Sequence, residues 1–148
     1  MSAIIKGPWR QVEIHEFLSG ALIPLRLSTV GADGYPRVVS LWFCLSEGNL
    51  LAVSHRDAPL VALLREHPKI GFEVAPNEPP YYGVRGQGLA ELSAEGAAAT
   101  LEQLIERYRA GSNSQLARWL MSRADEELLV RITPQSLFSW DYRTRMEQ

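Results

Sequence analysis

Between Pro24 and Ser54 the chain reads PLRLSTVGADGYPRVVSLWFCLSEGNLLAVS, three extended runs joined by two tight turns. Leu25 to Val30 is rich in β-formers. Asp33-Gly34 supplies a hairpin turn that tolerates positive φ, and Arg37 to Leu45 is a second run of Val, Leu, Trp and Phe. Glu47-Gly48-Asn49 is another turn, after which Leu50 to Val53 forms a third strand. Two successive hairpins make an antiparallel meander, the smallest sheet around which a barrel closes.

Alternation divides this meander into two unlike faces. Leu25, Leu27 and Thr29 point one way, and Val39, Leu41, Phe43 and Leu45 share a face of their own strand, together an apolar layer for a barrel interior. The opposite face carries Arg26, Ser28, Ser40, Trp42 and Cys44, a mixture of charge, hydroxyl and aromatic surface that suits neither a dry core nor bulk water. A partner subunit or a planar ligand would cover such a face.

The rest of the chain adds helices to that sheet. Pro8 to Leu18 has a proline in its opening turn and an apolar side of Trp9, Val12, Ile14 and Phe17, which predicts a helix. Asp57 is placed to cap a helix running to Glu66, with Leu60, Val61, Leu63 and Leu64 buried and His67-Pro68 ending it. Lys69 to Ala75 alternates again, with Ile70, Phe72 and Val74 inward. Tyr81 to Leu92 is a long strand whose Gly83, Gly86 and Gly88 mark a barrel corner or a close approach of backbone or ligand. From Glu95 the period becomes helical through Leu101, Leu104, Ile105 and Tyr108, ending at Gly111. Ser114 to Glu126 predicts another helix with Leu116, Trp119 and Leu120 on one side. Leu128 to Ile132 and Leu137 to Trp140 read as two last strands around Thr133-Pro134. We expect one domain over residues 1–148: a helix at 8–18, a barrel over about 22–92 and 128–142, and a helical insertion at about 95–126. The class is mainly β with appended helices, α+β rather than βαβ.

Composition narrows the function classes. A net charge of −2 lacks the basic footprint of a general nucleic-acid binder, while leaving room for a local basic pocket. The single cysteine, Cys44, forms no internal disulfide, and no apolar run approaches membrane-spanning length. The expectation is a soluble cytoplasmic protein that binds a small molecule rather than nucleic acid or membrane.

Local chemistry is sparse. Val53 to Asp57 carries a strand end into a helix start. Ser54, His55 and Arg56 there are placed to hold a phosphate, or else Asp57 only caps the helix and Arg56 is solvated. Arg26, Arg37 and Arg85 lie on or beside strands, as anion contacts or as partners of carboxylates such as Glu73. His15, His55 and His67 lie on three elements without metal-ligand spacing, so no metal site is expected. Cys44 in mid-strand reads as a buried, inert thiol. Trp42, Tyr81, Tyr82 and Trp140 suit either stacking on a heterocycle or packing, and Trp9 and Trp119 read as helix packing residues. No catalytic residue is identified.

Taken in order, Arg26 to Val30, the Asp33-Gly34-Tyr35-Pro36 turn, Val39 to Phe43, the turn at Gly48, and Leu64 to Ile70 ending in His-Pro-Lys-Ile resemble the flavin-binding split-barrel proteins related to pyridoxamine 5′-phosphate oxidase. The similarity covers Pro24 to about Leu92, and the closing Ile132 to Pro134 and Trp140 to Arg143 are in the same style. The resemblance implies a six-stranded antiparallel split barrel that dimerises around a flavin at the subunit interface. Ser40, Leu41 and Trp42 would then run beside the isoalloxazine and Ser54, His55 and Arg56 near the ribityl phosphate. Tyr82 would approach the ring, and Arg26, Ser28 and Arg85 would add polar and charged contacts. Pro59 and Leu60 stand where the oxidase grips the FMN phosphate with an arginine and a lysine. That departure leaves Arg56, Arg26 or Arg85 to take the role, or admits FAD or the deazaflavin F420 in place of FMN. The function so implied is a homodimeric flavin- or deazaflavin-dependent oxidoreductase, FMN being the first cofactor to expect. The alternative is a non-catalytic flavin or haem carrier of the same fold.

Overall fold

The computed structural model describes residues 3–108 and 115–146. The predicted helix end at Gly111 and helix start at Ser114 lie outside them. In chain order the elements are β1 (Ile4–Lys6), α1 (Gln11–Gly20), β2 (Leu25–Val30), β3 (Pro36–Leu41), β4 (Cys44–Ser46), β5 (Asn49–His55), α2 (Pro59–Glu66), β6 (Lys69–Val74), β7 (Tyr82–Ser93), α3 (Ala97–Tyr108), α4 (Gln115–Ser122), a 3₁₀ turn (Ala124–Glu126), β8 (Glu127–Asp141) and α5 (Arg143–Met146).

The sheet order is β3-β2-β6-β7-β8-β5-β4, with β1 beside β8. The two ends of that order, β3 and β4, are halves of one extended run interrupted at Trp42 and Phe43, so the sheet curls until a single stretch of chain serves both of its edges. Counting β3 and β4 as one stave gives six staves: mainly antiparallel β with helices around it. The strand expected from Arg37 to Leu45 is thus corrected to two strands, the first paired with β2 and the second with β5.

Turn chemistry sets the registers. Ser46 pairs with Asn49 across Glu47-Gly48, whose φ values of 51° and 81° are those of a two-residue hairpin loop. On β2 and β3, Leu25 faces Leu41 and Leu27 faces Val39, as the alternation predicts. Leu25, Leu27, Phe43, Leu50, Ile70, Phe72, Val74, Val84, Val130 and Ile132 fill the barrel, with Ile14 and Leu18 of α1 and Leu60 and Leu64 of α2 joining the same core.

Three expectations at helix and strand ends change. α1 begins at Gln11 rather than Pro8, because the Trp9 N–H is taken by Ser139 Oγ at 3.0 Å and Arg10 becomes the cap, its N–H donating to Glu13 Oε1. α2 is capped by Ala58 with no side-chain bond, and Asp57 stands outside it. The two closing strands are one strand of 15 residues: β8 absorbs Thr133-Pro134 in a bulge, Gln87 pairing with Ser136 and Gly88 with Pro134, which leaves Gln135 over. The glycines of β7 answer to close approach. A Cβ on Gly86 would lie 2.4 Å from Ser136 O and 2.6 Å from the Phe72 ring. β1 has no counterpart in the sequence reading; it runs parallel to β8 over Ser136–Phe138.

Candidate functional site

The β4–β5 hairpin pairs Cys44 with Leu51, and its register continued by one and two residues would pair Phe43 with Ala52 and Trp42 with Val53. Those pairs do not form. On the N-terminal side of Trp42 the chain pairs with β2 instead, so the wall splits between β3 and the second half of β5 and backbone edges on both sides leave the ladder. The insertion closes over this split. Trp42 stacks on Tyr108 with ring centroids 5.2 Å apart and planes 3° from parallel, the Phe43 N–H donates to Tyr108 Oη at 3.3 Å, and Tyr108 Oη donates to the Ile23 carbonyl at 2.9 Å. Arg107, one residue earlier, donates to the carbonyls of Leu18, Ser19 and Ala21, tying the end of α3 to the end of α1.

Beneath the insertion lies a cavity of about 330 Å³ lined by Ser40 and Leu41 of β3, Trp42 just after it, Val53 of β5, Leu101 and Leu104 of α3, Leu116 and Leu120 of α4, and Glu127 at the start of β8. Among the described residues its walls are apolar apart from Ser40 and Glu127. Beside it, His55 Nε2 lies 2.7 Å from Glu126 Oε2, and Arg123 Nε 3.8 Å from the same oxygen. The bond from His55, followed by the charges of His55, Arg123 and Arg56, holds the Glu126 carboxyl below its usual range. Burial pushes Glu127 the other way, upward. Ser54 is buried and Arg56 is exposed at this end of β5.

A second depression, about 720 Å³, lies on the outer face of the sheet. Register aligns Ser40, Arg26, Glu73, Arg85 and Phe138 in one row across β3, β2, β6, β7 and β8, with Val38, Ser28, Gly71, Gln87 and Ser136 in the next. The Arg85 guanidinium lies 4.4 Å over the Phe138 ring. Among the described residues neither Arg26 nor Arg85 makes an ion pair. Ser40, the register partner of Arg26, lines the split cavity, while Arg26 lines the outer hollow.

The sequence-predicted residues therefore fall into three groups. Ser40, Leu41 and Trp42 share the split cavity, with Ser54, His55 and Arg56 on the facing strand and its exit. Arg26, Ser28 and Arg85 line the outer hollow. Tyr82 belongs to neither; its ring packs with Trp9, Phe17 and the Arg143 guanidinium in a separate aromatic cluster. Trp119, expected to pack, is 53% exposed with the Arg123 guanidinium over it. Cys44 is half-buried, and burial raises its thiol pKa. Sequence reasoning missed the roof of the cavity and Glu127. Leu101, Leu104, Leu116 and Leu120 carried a helical signal, but nothing in it says where the helices dock. Among the described residues, no helix is long and apolar enough to cross a membrane.

Comparison with known proteins agrees with the fold. A conserved hypothetical protein of Mycobacterium tuberculosis superposes with a TM-score of 0.80 at 22% identity, over 93% of this chain and 88% of that one. An F420 reductase superposes at 0.70 and 20% identity, over 82% and 94%. A FAD-binding protein of Mesorhizobium loti superposes at 0.64 and 18% identity, over 88% and 93%. At these identities the likeness is one of fold. No curated protein matches the chain. The family model described as pyridoxamine 5′-phosphate oxidase matches residues 12–141 of the 148, and by that match the chain belongs to the pyridoxamine 5′-phosphate oxidase family, with its split-barrel fold.

Proposed function

We propose that this protein is a homodimeric oxidoreductase that uses a flavin or deazaflavin bound along the split. The observation that carries the reading is the opening itself. In a chain of this family, β3 and β5 part beside Trp42 and Val53, leaving backbone donors and acceptors next to an apolar cavity. The polar edge of a flat heterocycle matches those backbone groups, and Leu41, Trp42 and Val53 match its apolar body. The cofactor would supply hydride transfer; the chain's own residues orient it and exclude water.

The phosphate end fits less simply. Pro59 has no N–H, Leu60 is buried in the core, the Asp57 N–H donates to His55 Nδ1 and the Ala58 N–H to the His55 carbonyl. The start of α2 therefore holds out few donors to the phosphate of FMN, and Arg56 is the positively charged residue nearest to it in sequence. This favours a cofactor whose anionic tail runs on past the helix start, as in FAD or F420, toward Arg26 and Arg85 on the outer hollow. A second copy of the chain covering that hollow would account for Val38, 66% exposed at its rim.

The test is an absorption spectrum of the protein as purified, mass analysis of anything released on denaturation, and titration with FMN, FAD and F420. Binding of one of them, weakened in Arg56→Gln, supports the site. Substrate-dependent oxidation of the reduced cofactor separates an enzyme from a carrier. A Soret band would replace this reading with a haem carrier, and a protein that binds none of the three would end it. A monomeric mass in solution would remove the dimer.

A further inference from the structure

Among the described residues Glu127 is the one ionisable side chain in the wall of the split cavity. Its carboxylate makes no hydrogen bond or ion pair among the described residues, because the neighbouring positive groups are directed elsewhere. His55, its register partner across the β5–β8 ladder, is bonded to Glu126, and Arg123 lies within 4 Å of that same carboxylate. α3 and α4 present leucines to the cavity. The result is a partly buried carboxylate without a protein partner at one side of a chamber whose other described walls, Ser40 apart, are apolar.

We propose that the split cavity binds a hydrophobic organic cation, a single ring or branched alkyl group bearing one positive charge, with Glu127 as the counter-charge and Leu101, Leu104, Leu116 and Leu120 around its apolar body. This deepens the reading of the split as a ligand site and rests on it. A neutral ligand would leave the carboxylate unpaired, and an anion would face it directly; a cation alone relieves the desolvation that the fold imposes there. The upward shift of Glu127 agrees, since burial opposes its charge while His55 and Arg123 favour it and Glu126 opposes it.

The experiment titrates the protein as purified, and again after saturation with FMN or F420, with benzylamine, benzyl alcohol and benzoate, following the Trp42 indole N–H resonance. Benzylamine is expected to bind about ten- to a hundred-fold more tightly than benzyl alcohol, the range for a hydrogen bond to a charged group. In Glu127→Gln the preference should vanish while affinity for the alcohol stays unchanged. In the wild-type protein the amine-to-alcohol ratio should fall as pH drops and Glu127 takes up a proton, a second reading that does not depend on the variant folding. Equal affinities in the wild-type protein, a preference that survives in Glu127→Gln, or no response of Trp42 to any probe would overturn the proposal. Lost selectivity with cofactor binding intact counts against this inference alone. Selectivity retained in a protein that binds no flavin or deazaflavin counts against the redox reading alone.

Discussion

Tyr108→Phe removes one oxygen and isolates what the insertion does for the split. The Phe43 N–H stands where the β4–β5 ladder has ended and β3 has turned away, and Tyr108 Oη meets it at 3.3 Å while donating to the Ile23 carbonyl. Deleting the hydroxyl leaves a part-buried donor and an acceptor without this partner, at a cost of about 1–3 kcal/mol. The stack of ring 108 on Trp42, worth about 0.5–1.5 kcal/mol, stays in place and does not enter the difference. We expect a loss near 2 kcal/mol, a fall in melting temperature of about 4–8 °C at this chain length, and an unchanged urea m-value. Hydrogen exchange supplies the local readout: the Phe43 amide should lose protection while the Val130 and Ile132 amides exchange only through global unfolding. A variant within about 0.5 kcal/mol of wild type whose Phe43 amide remains protected would refute the reasoning, because the strand break would then be held by packing alone.

Other substitutions test other parts of the fold. Gly86→Ala places a Cβ against the Ser136 carbonyl and the Phe72 ring and should cost about 1–3 kcal/mol or more, read as a lower urea midpoint; a neutral result would mean that β7 and β8 separate easily. Asp141 has a pKa of about 2, held down chiefly by the hydrogen bond from Arg143, with help from the Trp9 indole N–H. Its folded pKa lies below the unfolded value of 3.8, so the stability it adds is present above about pH 4 and is lost as pH falls toward 2. Screening at this partly exposed pair limits that contribution to about 1–2 kcal/mol, and Arg143→Gln should flatten the acid limb of the stability profile. Arg107→Met withdraws the donors from three carbonyls at the end of α1 and should speed exchange there and in the last turn of α3, with the barrel strands unaffected.

The sequence was most informative where a local rule decides the geometry. The Asp33-Gly34 and Glu47-Gly48 turns and the alternation of Leu25, Leu27 and Thr29 settle registers over a few residues, and the structure agrees with them. Trp42 and Phe43 were legible as strand residues but not as a break, since the break comes from β2 and β5 competing for one stave, a contest between segments far apart in sequence. β1 is too short to carry a periodic signal and takes its conformation from β8. The same limit applied to the site. Ser40 to Trp42 could be placed by alternation and resemblance, while Glu127 gained its significance only when Glu126 engaged both His55 and Arg123.

β8 pairs with β7 along one edge and with β5 and β1 along the other. It is also the last of the eight strands to leave a ribosome. Until it arrives, a nascent chain carries β5 and β7 with open edges and a core exposed between them, a state that favours association with other chains. Yield in a cell should therefore depend on the interval between synthesis of Ser93 and of Asp141, during which α3 and α4 are made. A slow codon within that stretch would lengthen the exposure without changing a single residue of the finished protein.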